Sequence, residues 1–148
     1  METYKPFGCP EIAGEGADSS NTALSHQVGG EHYKSAYQPI VLMEKVHMFP
    51  SCANVLKYVF RHKQKNGKQD LQKALHFCGF IDELKSNWYY GTSMRIGDGD
   101  STSFEFYKFI KENKQLDKNQ IRAIIAILYR DLDMLKQAIY DEISEYYS

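Results

Sequence analysis

Apolar residues recur at helical spacing along most of the chain. The clearest run is "FPSCANVLKYVFRHKQKNGKQDLQKALHFCGFIDELKSNWYY", residues 49–90. Pro50 suits the first turn of a helix, where its missing N–H has no intrahelical partner to lose. Cys52, Val55, Leu56, Val59 and Phe60 then form a core stripe, and Asn54, Lys57, Tyr58, Arg61 and Lys65 fall on the other side. The "KNGK" at 65–68 predicts a helix stop with Asn-Gly at the break. A second helix is expected from near Gln69, burying Leu71, Ala74, Leu75, Cys78, Ile81, Leu84 and Trp88. Two helices joined by so short a turn must fold back on each other. That hairpin brings Arg61 and Lys65 near Asp70 and Lys73.

The flanks read more simply. Pro39 predicts a short helix to about Met48, with Val41, Leu42, Lys45 and Val46 on its partly apolar face. "FEFYKFIKENK", residues 104–114, predicts a short amphipathic helix. Asp117, with Gln120 three residues on, has the form of a capping box at the head of a long helix. Along it Ile121, Ile125, Leu128, Leu132, Leu135 and Ile139 alternate at four and three, a heptad seam. The seam packs either on the chain's own helices or on a second copy. Residues 91–103, "GTSMRIGDGDSTS", predict a solvated turn. An EF-hand needs an acid at its twelfth position, and counting from Asp98 that position is Phe109. The expected fold is all-α with about five helices: a central helical hairpin and a long C-terminal helix. Residues 1–28 are expected to be a flexible leader, and 29–148 one helical domain, with a core at 29–85 and C-terminal helices at 102–148.

Length and composition narrow the class. At 148 residues the chain suits one domain. A net charge of −1 argues against a phosphate-tracking nucleic-acid binder. No signal peptide and no stretch long enough to span a membrane are expected, which predicts a cytoplasmic protein. Cys9, Cys52 and Cys78 are odd in number and scattered, so they do not read as a disulfide framework. Cys52 and Cys78 read as small core residues.

Several chemistries lack their motif. There is no P-loop and no nucleophile elbow. The five histidines have no zinc spacing. His62 and His76 are placed to meet across the hairpin, but without further ligands for a metal. His47 and His76 read as helix-surface or boundary residues. Glu142 and Glu145 share a helix face, with Asp131, Asp133 and Asp141 upstream, and read as a solvated acidic face. No metal site is expected.

Two segments, "GGEHYKSAYQPI" at 29–40 and "ANVLKYVFRHKQKNGKQDLQKALHF" at 53–77, carry a resemblance. Their order and separation resemble a phage-associated family, SaV-like and catalogued as a domain of unknown function. It includes the nucleotide kinase of T-odd coliphages. The matching positions are His32 and Tyr33; Gln38, Pro39 and Ile40; Asn54, Lys57, Tyr58 and Arg61; Lys65 and Gly67; and Asp70, Leu71, Lys73 and Ala74. Val41 stands where the family has an acid, and Ala53 where it has a Gly. The resemblance implies a phage or prophage origin, host cytoplasm and nucleotide-related work, which in the T-odd coliphage member is phosphoryl transfer from a nucleoside triphosphate to a deoxynucleoside monophosphate without a P-loop.

The residues themselves make a coherent set. Asn54, Lys57, Tyr58 and Arg61 share one helix face, extended by Lys65. Lys and Arg neutralise phosphate, Arg through two parallel bonds. Asn54 suits a base edge or ribose, and Tyr33 or Tyr58 suits stacking on a base. Asp70 suits either holding Arg61 or Lys73 in place, or carrying magnesium. His32 suits a phosphate contact or proton shuttling. Gln38 and Lys73 complete the expected binding set, and Gly29 and Gly30 would let backbone approach phosphate.

Three functions remain open. A kinase using ATP and Mg²⁺ would rest on Lys57, Arg61 and Asp70, because phosphoryl transfer needs neutralisation and alignment. A phage sponge that sequesters a nucleotide or cyclic-nucleotide immune signal needs the same pocket and no catalytic acid. A helical interaction protein would use its long terminal helix. The expected partners are a nucleotide or nucleotide-derived small molecule and further copies of the chain in a homo-oligomer.

Overall fold

A computed structural model describes residues 22–25, 37–91 and 101–148. The chain divides into two units, residues 1–34 and residues 35–148. In the first, Ala23–Ser25 make a 3-10 turn, closed by Ser25 Oγ donating to the Thr22 carbonyl at 2.8 Å. The rest of the expected leader, with His32, Tyr33, Gly29 and Gly30, lies outside the described residues, as does the "DGD" turn.

The second unit is all-α among the described residues. It has six helices rather than five: α1 Pro39–Val46, α2 Pro50–Arg61, α3 Lys68–Glu83, α4 Ser101–Glu112, α5 Lys118–Tyr129 and α6 Leu132–Tyr147. None is long and apolar enough to cross a membrane.

The expected stripe on α2 is fully buried: Cys52, Val55, Leu56, Val59 and Phe60. A 3-10 turn at His62–Gln64 and a turn to Gly67 reverse the chain into α3. Leu71, Ala74, Cys78 and Ile81 of α3 face α2 and α6, while Leu75 is half-buried. The expected face ran too far. α3 ends at Glu83, Lys85 takes a left-handed φ of 51°, and Leu84 is 70 % exposed. Trp88 lies beyond the helix, where its carbonyl accepts the Phe49 N–H at 2.9 Å. This pairing and the antiparallel bridge between Met48 and Tyr89 tie the α3 exit to the α1–α2 junction. His47 permits the turn there with a φ of 55°.

The long C-terminal helix is two helices. Asp117 and Gln120 form the expected capping box on α5: each side chain accepts the other's backbone N–H, at 2.9 and 3.0 Å. Then Arg130 adopts a left-handed φ of 57°, and Asp131 caps α6 through the Met134 N–H. The heptad spacing therefore folds back on itself. Leu128, Leu135 and Ile139 are buried between α5, α6 and α3, and Ile121, Ile125 and Leu132 are half-buried. Gln120 Nε2 donates to the Val59 carbonyl at 2.9 Å and locks α5 onto the last turn of α2.

Candidate functional site

The α2–α3 hairpin gathers five of the expected site residues. Lys57, Tyr58 and Arg61 project from consecutive turns of α2, and Asp70 and Lys73 from the first turns of α3. Lys57 Nζ lies 4.5 Å from the centre of the Tyr58 ring, the Arg61 guanidinium 4.8 Å, and Lys73 Nζ 5.6 Å. Phe77 stacks on Tyr58 at 6.0 Å. Cation–π attraction explains the gathering: the electron-rich ring face draws like charges together that would otherwise repel.

Arg61 and Asp70 are paired face to face. Arg61 Nε donates to Asp70 Oδ2 and Nη2 to Oδ1, both at 3.2 Å. The Asn66 N–H donates to Oδ2 at 3.3 Å. Asp70 is fully buried, so its carboxylate is occupied on both oxygens and has no exposed edge. Of the roles open to it in the sequence, this arrangement is the holding of Arg61.

The other expected residues sit apart or are turned to local work. Asn54 donates its amide to the Pro50 carbonyl on its own helix at 2.9 Å. Lys65 is exposed on the hairpin turn, and Gln38 is the residue before α1, with no side-chain cap bond to that helix. His76 is exposed with its ring 4.6 Å from Phe80, while His62 is buried with partners on α6, so the two do not meet across the hairpin. A cleft of about 470 Å³ lies elsewhere, lined by Phe49, Trp88, Tyr90 and Arg130 among others.

Sequence reasoning missed a second cluster, behind the hairpin turn. His62 and Glu142 are buried at 0 % and 1 % exposure, and Asp117 is half-buried beside them. The expected solvated acidic face is thus corrected at Glu142. His62 Nε2 lies 3.5 Å from Glu142 Oε1, and its Nδ1 shares a 2.8 Å hydrogen bond with the Tyr147 hydroxyl. Lys63 Nζ lies 2.5 Å from Asp117 Oδ2, donates to the Tyr146 hydroxyl at 3.3 Å, and sits 4.4 Å from that ring's centre.

Burial pushes the Glu142 carboxyl up, and a hydrogen bond with Asp117 adds to the rise, against the pull of His62. Burial works the same way on Asp117. There the hydrogen bonds from Glu142, Lys63 and the Gln120 backbone outweigh it and hold the carboxyl down. Ionised, Glu142 meets only the long 3.5 Å contact from His62 Nε2; protonated, it can donate to Asp117.

The signal for this cluster was present in the spacing. His62 continues the α2 stripe, three residues after Val59 and seven after Val55. Glu142 continues the α6 stripe, three after Ile139 and seven after Leu135.

Against known proteins, no curated protein and no solved structure matches the chain. Residues 28–78 match the model of a family of proteins of unknown function, DUF3310, so the match takes in the whole Tyr58 cluster and His62 but stops before Asp117 and Glu142.

Proposed function

We propose that the chain binds a nucleotide on the Tyr58 face of the α2–α3 hairpin, within the segment matched to the family of unknown function. One observation carries this reading: Lys57, Arg61 and Lys73 converge on a single aromatic ring, at 4.5–5.6 Å. A ligand with phosphates and a flat base is complementary to such a surface. The phosphates take the two ammonium groups, and the base competes for or extends the Tyr58–Phe77 stack. The phage origin and host-cytoplasm location expected from the resemblance, and the oligomeric assembly expected from the heptad seam, belong to the same proposal.

Within it, sequestration is favoured over phosphoryl transfer. A kinase here would use ATP and Mg²⁺ and needs an acid to carry the metal or align the acceptor. Val41 stands where the family has an acid, and Asp70, the one matched carboxylate, is buried in a bidentate pair with Arg61. Binding with no turnover needs neither group released.

Isothermal titration of the full chain with ATP and each deoxynucleoside monophosphate tests the site. Lys57→Ala and Lys73→Ala should each weaken binding roughly tenfold, as expected for loss of a charge-assisted contact. Unchanged binding in both variants would sink the site. Incubation with ATP, Mg²⁺ and each monophosphate then separates the two functions: a diphosphate product restores the kinase, and retention without product supports the sponge.

A further inference from the structure

We propose that His62 Nε2, Asp117 Oδ2 and a Glu142 carboxylate oxygen form a buried site for one divalent transition ion of the Zn²⁺ class. The ion would brace α6 against the hairpin turn and the start of α5.

The three groups come from distant parts of the sequence, yet their ligand atoms all lie within 4.8 Å of one another. His62 Nε2 and both Glu142 oxygens are buried with no well-formed hydrogen bond, the nearest approach being 3.5 Å between Nε2 and Oε1, while Asp117 Oδ2 is held by Lys63 Nζ at 2.5 Å. Buried polar atoms are nearly always paired, so three at one point with no well-formed bond call for a closer partner.

Charge says what kind of partner. Two carboxylates meet one ammonium, Lys63, and a histidine, so an ionised Glu142 leaves the buried cluster one negative charge in excess. A proton on Glu142 or a cation between the three groups removes that excess. The cation also gives His62 Nε2 a closer partner than the 3.5 Å contact with Glu142 Oε1.

Ligand type favours zinc over magnesium. One imidazole nitrogen and two carboxylates match the mixed N/O sets that hold Zn²⁺ at about 2.0–2.2 Å. Mg²⁺ keeps several waters and demands an all-oxygen octahedron, which a site this closed does not offer.

The surroundings suit such an ion. The Tyr147 hydroxyl at 2.8 Å from His62 Nδ1 can accept that nitrogen's proton, which leaves the Nε2 lone pair facing the acids. Asp117 uses Oδ1 to cap α5 and keeps Oδ2 for the cluster. Lys63 now fills the cation position on Oδ2. Its side chain is a quarter exposed and lies over the Tyr146 ring, so it can swing outward as the ion enters. With His62 and Glu142 almost wholly buried, the ion would be structural, with no face for substrate.

The test uses the full chain stripped with EDTA and titrated with ZnCl₂. Calorimetry should show one ion per chain, and ¹⁵N spectra of the imidazoles should show His62 Nε2 moving while the other four histidines stay still. Glu142→Gln, isosteric with the protonated acid, should fold and bind Zn²⁺ more than about tenfold more weakly. Millimolar Mg²⁺ should not compete. Three results would overturn the site: no saturable binding by the folded chain, a shift at any histidine other than His62, or undiminished affinity in Glu142→Gln. The imidazole spectrum of the unaltered chain decides the matter even if a His62 variant fails to fold.

Discussion

At the residue level the buried charges decide most. Arg61→Ala looks like a probe of ligand binding, but Arg61 holds Asp70, which is fully buried. Removing one partner strands the other charge, at a cost of about 3–5 kcal/mol. Urea denaturation of Arg61→Ala should show that loss, and Arg61→Ala with Asp70→Ala should recover part of it. If Arg61→Ala is as stable as the parent, the Arg61–Asp70 pair does not brace the hairpin.

Glu142 gives a pH signature of opposite hand. Its folded carboxyl titrates above the ordinary value, so its stabilising effect is full at acid pH and fades as pH rises through the folded value. Asp117 titrates below its ordinary value, so its contribution is present at higher pH and lost on acidification. In EDTA the parent should therefore lose stability as pH rises from the ordinary carboxylate range through the raised folded value of Glu142, and Glu142→Gln should flatten that limb while keeping the acid one. Equal slopes in the two proteins, read from urea midpoints, would exclude Glu142 as the source. Both His62 and Glu142 sit in register with apolar stripes. A polar residue on a buried stripe is legible in sequence, but its partners are not, because they come from a different helix pair.

The helices themselves were largely legible. Proline starts, the Asn-Gly stop and the capping box act through local backbone chemistry, and α1, α2, α3 and the head of α5 follow them. The break between α5 and α6 did not announce itself. Arg130 is neither Gly nor Asn, yet it takes the left-handed turn, and its guanidinium lies 5.3 Å from the Tyr89 ring in compensation. Tertiary contact here overrides a residue's own preference. Gly67 is the contrary case, where local chemistry and tertiary contact agree. Its φ of 55° with ψ of −126° suits only glycine, and an added Cβ would stand 3.3 Å from the Tyr147 ring. Gly67→Ala should cost about 1–3 kcal/mol from backbone strain, with the ring contact added. Thermal melts and the Tyr147–His62 hydrogen bond, followed by imidazole NMR, would register both effects. A neutral Gly67→Ala would mean that the turn relaxes without moving α6.

For the whole molecule, the question is whether α5 and α6 are an appendage that recruits partners or part of the unit's core. A detachable appendage could be cut after Gln115 with the hairpin left intact. The packing argues otherwise: α5 is bonded to the α2 backbone through Gln120, α6 covers α3, and Tyr147 closes on Gly67. The two hairpin cysteines report the outcome. Cys52 and Cys78 are wholly buried. Burial raises both thiols, Cys52 further through the nearby Cys78, and Cys78 to about 12 despite the pull of Lys136. Thiolate is the reactive form, so both should resist labelling in the folded chain. With Cys9 replaced by Ser, the full chain should react with a thiol reagent only at the rate of global unfolding, and both sites should appear together. A chain ending at Gln115 should label at once and melt without cooperativity, since α3 would lose the apolar cover that α6 supplies. If the shortened chain instead keeps both thiols protected and its hairpin helical, α5 and α6 are an independent module, and the case for a partner-binding C-terminus returns.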